Sequence, residues 1–181
     1  MLNPYLATDG SVTPEAVSFA YLCFLVLCTP VCLWVVRSDL SVMKIPNTAV
    51  LTLGGIFAVA GFVLIPFEFW VWRWVSLVVV LAMGFLLNAF ANVGAGDAKF
   101  AAAAAPFVVQ TLGNAQLAFM LLAAWLLIAF FLHRLARAIP AIRRATPDWK
   151  SWTSPKFPMG TALAGALLTY LAIKAAGLNV L

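Results

Sequence analysis

Charge is nearly missing from this chain. Of its 181 residues only 9% are charged and a single one is histidine, whereas 65% are hydrophobic. With a mean hydropathy of +1.04, too few polar side chains exist to cover a water-soluble surface. That excludes an ordinary soluble enzyme or binding module and predicts an all-α integral membrane protein. A bilayer core takes about 20 apolar residues per helix, so this length accommodates a bundle of about six transmembrane helices and no sizeable soluble domain. Residues 1–181 are read as one transmembrane domain, and any function has to be built inside the bundle.

Metal-ligating side chains are equally sparse. Cys23, Cys28 and Cys32 all fall in the first apolar run, form no CxxC pair, and lie far in sequence from His133. A structural zinc site usually needs four such ligands, so no metal and no cofactor is expected and the thiols read as buried. Residues 1–15 carry Asp9 and Glu15 but neither Lys nor Arg. They lack the basic stretch that opens a cleaved signal peptide, and the first helix is read as retained.

The net charge of +5 reads as membrane topology rather than as a nucleic-acid surface, because the basic residues sit between apolar spans. Spans are expected over about 16–36, 45–65, 69–90, 98–109, 115–132 and 157–176. The fourth is Ala-rich and too short to cross alone at 1.5 Å per residue. Pro46 suits the first turn of the second helix, and Trp70, Trp72 and Trp74 resemble an interfacial belt at the head of the third. The segment from His133 to Lys156 holds Arg134, Arg137, Arg143, Arg144, Lys150 and Lys156. The positive-inside rule places it in the cytoplasm, with Trp149 and Trp152 as headgroup anchors and His133 as an interfacial residue. With alternating spans, Asp39 and Asp97 fall on the same cytoplasmic side and both chain ends face outward. Glu68 and Arg73 then lie near the other face as a surface pair or as solvated helix ends rather than as a site.

Asp39 and Asp97 are the informative residues. Both stand at the ends of apolar helices, where a carboxylate is costly unless solvated or paired. Either alone reads as well as a helix cap or solvated helix end as it does as a functional acid. Around Asp97, however, Gly94-Ala95-Gly96-Asp97 surrounds a small residue with two glycines, allowing positive φ and close approach of another chain. A plain cap needs neither.

Four ordered motifs then coincide: Arg37-Ser38-Asp39, Ile45-Pro46-Asn47, Gly94-Ala95-Gly96-Asp97-Ala98-Lys99, and Phe157-Pro158-Met159-Gly160. Along nearly its whole length the chain resembles the type IV prepilin peptidase family, in particular its short members associated with Flp-type (tight-adherence) pili. The resemblance implies a six-helix intramembrane aspartyl peptidase of the GxGD kind in which Asp39 and Asp97 are catalytic. It implies prepilins and pseudopilins as substrates, with a short polar leader usually cut just after a Gly. It also implies the bacterial inner membrane, an active site facing the cytoplasm, and pilus assembly or secretion machinery and the bilayer as partners. Longer members carry an additional Cys-paired cytoplasmic segment and N-methylate the new terminus. This chain lacks that segment, so the resemblance carries the peptidase step and not the methylation.

Amide hydrolysis requires one group to take a proton from water and another to give one to the leaving amine. Two nearby carboxylates sharing one proton supply both. Lys99 either snorkels to lipid phosphate or orients substrate. Asn47 and Asn92 either donate hydrogen bonds to the acids or the scissile carbonyl, or cap helices. Pro158 and Gly160 are read as shaping the start of the last helix. The competing readings are a non-enzymatic carrier with paired intramembrane acids and an inactive secretion-system subunit.

Overall fold

A computed structural model describes residues 13–91 and 94–178; Asn92 lies outside the described residues. Every regular element is helical, with no strand among the described residues. Helix α1 (Pro14–Val42), α2 (Asn47–Leu64), α3 (Phe67–Ala91) and α5 (Leu112–Ala138) are long and apolar enough to cross a membrane. Between α3 and α5 lies α4 (Ala95–Ala104), continued by a 3-10 turn over Ala105–Phe107. After α5 come α6 (Pro140–Ala145), a second 3-10 turn over Lys150–Trp152, and α7 (Gly160–Ala175). Helix α7 is apolar but, at 16 residues, shorter than a full span.

Local chemistry sets the ends. Pro14 opens α1 and the Thr13 hydroxyl accepts from the Ala16 N–H at 3.4 Å, satisfying a free donor of the first turn. Helix α1 does not stop at Asp39 as its polarity suggests. It runs on to Val42 and ends where Met43 takes a left-handed conformation, φ 60°, and donates its N–H to the Asp39 carbonyl. Pro46 is likewise not inside the first turn of α2: it is the capping residue, and Asn47 begins the helix. An extended Thr111, whose hydroxyl accepts from the Asn114 N–H at 3.3 Å, opens α5.

Helix α1 packs chiefly against α7 and then α2, α3 against α4, and α5 against α7. Along α1 the buried positions include Ala20, Phe24, Cys28, Val31, Val35 and Asp39. These recur every three or four residues, so helical periodicity itself carries Asp39 onto the packed face. Ala49, Leu53, Phe57 and Gly61 form the matching stripe on α2. Phe24 and Phe57 each meet Phe107 with ring centroids 5.2 Å apart, fixing the 3-10 turn in the core. Trp74 stands edge-on to Phe57, and Trp70 donates its indole N–H to the Phe57 carbonyl at 3.2 Å. Only Trp72 of the three expected belt residues is largely exposed.

The end of the molecule remote from Asp39 is closed by hydrogen bonds. The Tyr21 hydroxyl donates to the Phe107 carbonyl and accepts from the Arg73 guanidinium, both at 3.3 Å. Arg73 thus serves a buried tyrosine rather than pairing with Glu68. Tyr170 donates to Asn114 Oδ1 at 3.2 Å and accepts from the Val109 N–H at 3.0 Å, while Gln110 Nε2 donates to the Trp72 carbonyl at 2.7 Å. Of these, the bonds to the Phe107 carbonyl and from the Val109 N–H satisfy backbone groups that the helix break at 108–111 leaves free.

The basic segment is also more ordered than a loop. Residues 133–138 belong to α5, and His133 stacks on Trp152 at 5.3 Å, which stacks on Trp149 at 5.7 Å. Trp152 is buried and donates its indole N–H to the Thr146 carbonyl at 2.9 Å, so it folds the segment back onto α5 instead of anchoring it outside. Arg134, Arg137, Arg143, Arg144, Lys150 and Lys156 are exposed.

Candidate functional site

Four helix ends meet at one pole of the bundle: the last turn of α1, and the first turns of α2, α4 and α7. Asp39 comes from the first of these and is only 5% exposed. Its Oδ2 accepts the Gly160 backbone N–H at 2.6 Å. Gly160 is the first residue of α7, so the carboxylate occupies one of the donors that a helix start leaves free and sits at the positive end of the helix dipole. The solvated-terminator reading of Asp39 does not hold, because the side chain lies on the packed face.

Asp97 stands in the first turn of α4 and is half-buried. It does not cap that helix: Gly94 occupies the cap position and makes no side-chain hydrogen bond. Asp97 lines the same groove as Met159, the residue before Gly160, so two acids 58 positions apart in sequence come to one pole.

The glycines work by size, not by handedness. Gly94 has φ −59°, and the one glycine with positive φ among those described is Gly177. A Cβ on Gly94 would collide with Asp97 Oδ2, and one on Gly96 would lie 3.3 Å from Ile45 Cβ. A Cβ on Gly160 would lie 2.9 Å from Asp39 Oδ2. Each glycine leaves room beside a carboxylate, or lets α4 approach the segment before α2.

The remaining candidates divide. Lys99 is exposed and donates to Asn47 Oδ1 at 3.4 Å, linking the first turns of α4 and α2 beside the acids. Pro46 caps α2, and Pro158 is buried just before α7. Asn92 falls outside the described residues. Sequence reading gave Gly160 only a shaping role, yet its N–H is the direct partner of Asp39. Two groups were missed altogether. Met43 redirects the chain after α1, and Thr161 carries a buried hydroxyl with no hydrogen-bond partner among the described residues, one position past Gly160. Neither has a sequence signal: a left-handed cap is not marked by a methionine, and the Thr161 hydroxyl is buried only by the packing of α7.

A groove of about 420 Å³ begins at Asp97 and runs between α3, α4, α5 and α7. Gly84, Ala98, Ala101 and Met159 border it near the acid, and Ser76, Gln110 and Tyr170 lie at its far end. Cys28 and Cys32 are buried in α1 and unbonded. Among the described residues no three His, Cys, Asp or Glu side chains gather as a metal site. The chemistry available here is thus that of two carboxylates at one pole, one held by a backbone donor and one facing an apolar groove.

Compared with known proteins, the chain matches no family model, no curated protein and no solved structure.

Proposed function

We propose that the chain is an intramembrane aspartyl endopeptidase that removes the leader of Flp-type prepilins and pseudopilins, with Asp39 and Asp97 as its catalytic pair. The observation that carries this reading is the meeting at one pole of a buried Asp39, held by the Gly160 N–H, with an Asp97 that lines a groove together with Met159, the residue before Gly160. Two interacting carboxylates favour a singly protonated pair. The ionised member removes a proton from water as its oxygen bonds to the scissile carbonyl carbon. The protonated member supports the developing oxyanion, and a proton then passes to the leaving nitrogen as the C–N bond breaks. Lys99 and Asn47 border the approach to this pair, where a leader would pass.

In this reading α1, α2, α3 and α5 span the bacterial inner membrane together with α7 and a composite fourth crossing. Helix α4 alone measures about 15 Å. The 3-10 turn and the extended residues after it complete the passage, because Gln110 reaches the Trp72 carbonyl at the opposite pole from Asp97. Six crossings put both termini in the periplasm and the acids at the cytoplasmic face, beside the exposed basic residues of 134–156.

The test is reconstitution of the purified chain in liposomes with a synthetic peptide spanning a polar leader, a Gly and an apolar helix. Mass spectrometry should show a single cut after the Gly. An intact peptide, or hydrolysis equally present without the protein, would reject the reading.

A further inference from the structure

The groove beside Asp97 is larger than one peptide bond requires, and its walls have a helical period. Val80, Gly84 and Leu87 of α3 line one bank, at spacings of four and three residues, and Ala115, Ala118 and Leu122 of α5 line the other. Its floor is formed by α4 and α7. Although α3 packs on α4 and α5 packs on α7, α3 and α5 hardly touch each other. The bundle thus contains an apolar slot between two long helices, beginning at Asp97 and ending at the polar groups of Ser76, Gln110 and Tyr170. From Leu87 to Ser76 this is about 16 Å, or three helical turns.

The geometry points to this slot as the lateral docking site for one apolar α-helix, the membrane segment of the same peptide whose junction reaches Asp97. The inference rests on the peptidase reading and adds to it where the substrate's helix lies and how far it is measured. The slot is continuous with the Asp97 site, so a helix lying in it delivers its preceding residues to the acids. Glycine and alanine on the walls permit close backbone approach, which drives helix association in membranes, whereas a lipid tail gains nothing from it. The foot is polar as well: Gln110 and Ser76 already donate to the Trp72 and Arg73 carbonyls, and a helix can present a donor to their oxygens where a hydrocarbon chain offers none. The preferred substrate has small residues on its docked face and accepts its first polar side chain about eleven residues, three turns, beyond the cut.

The experiment uses the full chain in liposomes, with Cys23→Ala to remove the half-exposed native thiol. The probe is a synthetic peptide with a polar leader, a Gly, and an apolar helix of about 20 residues carrying one cysteine about seven residues past the Gly. Disulfide capture by Val80→Cys should exceed capture by Val78→Cys, which lies on the opposite face of α3, by about tenfold, a preference of about 1.4 kcal/mol. Equal capture at the two positions, or capture at neither, overturns the docking site. Running the capture with Asp97→Asn, and cleavage in parallel with both acids intact, separates the two claims. Capture without cleavage upholds the slot and removes the peptidase reading; cleavage without selective capture does the reverse.

Discussion

The Gly160 N–H and Asp39 Oδ2 lie 2.6 Å apart and 121 residues apart in sequence. This bond ties the last turn of α1 to the first turn of α7, and it aims a carboxylate by means of a backbone group. No side-chain substitution can remove the donor without adding atoms, and the space beside Gly160 is already filled by the carboxylate it serves.

Gly160→Ala places a methyl group 2.9 Å from Oδ2 and 3.0 Å from the Asp39 Cβ. The crowding should cost about 1–3 kcal/mol, as overpacking of tight sites does. Because the displaced atom is the proposed catalytic oxygen, cleavage should fall further than thermal stability. Parallel melting and cleavage assays check this; unchanged values in both would show that the contact is loose.

Gly94→Ala should behave differently from Gly96→Ala. At Gly94 the added methyl meets Asp97 Oδ2 directly, so cleavage should drop with little change in stability. At Gly96 it meets Ile45 Cβ at 3.3 Å, so the first effect is on the packing of α4 against the segment before α2. Because that atom is a Cβ, only Ile45→Gly removes it, and this substitution should restore part of the loss for Gly96→Ala and none for Gly94→Ala. A double-mutant cycle on melting temperature and rate measures the coupling.

The pH dependence of a dyad is two-sided. Cleavage should fall as pH climbs and the shared proton is lost, and in stronger acid, where the second carboxylate is neutralised. A pH profile of the cleavage rate in liposomes checks this. A rate rising steadily to pH 9 would contradict a dyad.

Tyr21→Phe removes the hydroxyl that donates to the Phe107 carbonyl and accepts from Arg73. The site is buried, and leaving the carbonyl unpaired should cost about 1–3 kcal/mol. The loss should appear as a lower melting temperature, at the opposite pole from the acids.

The four long apolar helices were legible in the sequence because burial in lipid or protein leaves a run of hydrophobic residues that needs no partner to recognise. Asp39 and Asp97 stand out there as isolated acids at the ends of such runs. What was not legible depended on contacts between distant segments. Asp39 reads as a terminator because it is polar, yet α1 continues to Met43 and the acid belongs to the packed face. Gly94 and Gly96 read as conformational hinges, yet their φ angles are ordinary and their role is to leave room for Asp97 and Ile45. The partnership of Gly160 with Asp39 has no local signature at all. Arg73 reads as a surface charge until Tyr21 is brought against it, and the slot between α3 and α5 exists only once four helices have packed.

The most direct measurement is coexpression of the chain with a Flp-type prepilin, following the mass of the pilin in cells carrying the unaltered protein, Asp39→Asn or Asp97→Asn. Asparagine nearly preserves the shape of each acid and at position 39 keeps an acceptor for the Gly160 N–H, so both variants should accumulate normally. The unaltered chain should yield pilin shortened by its leader, and each variant should leave it full length. Shortened pilin in both variants would contradict the account at its centre.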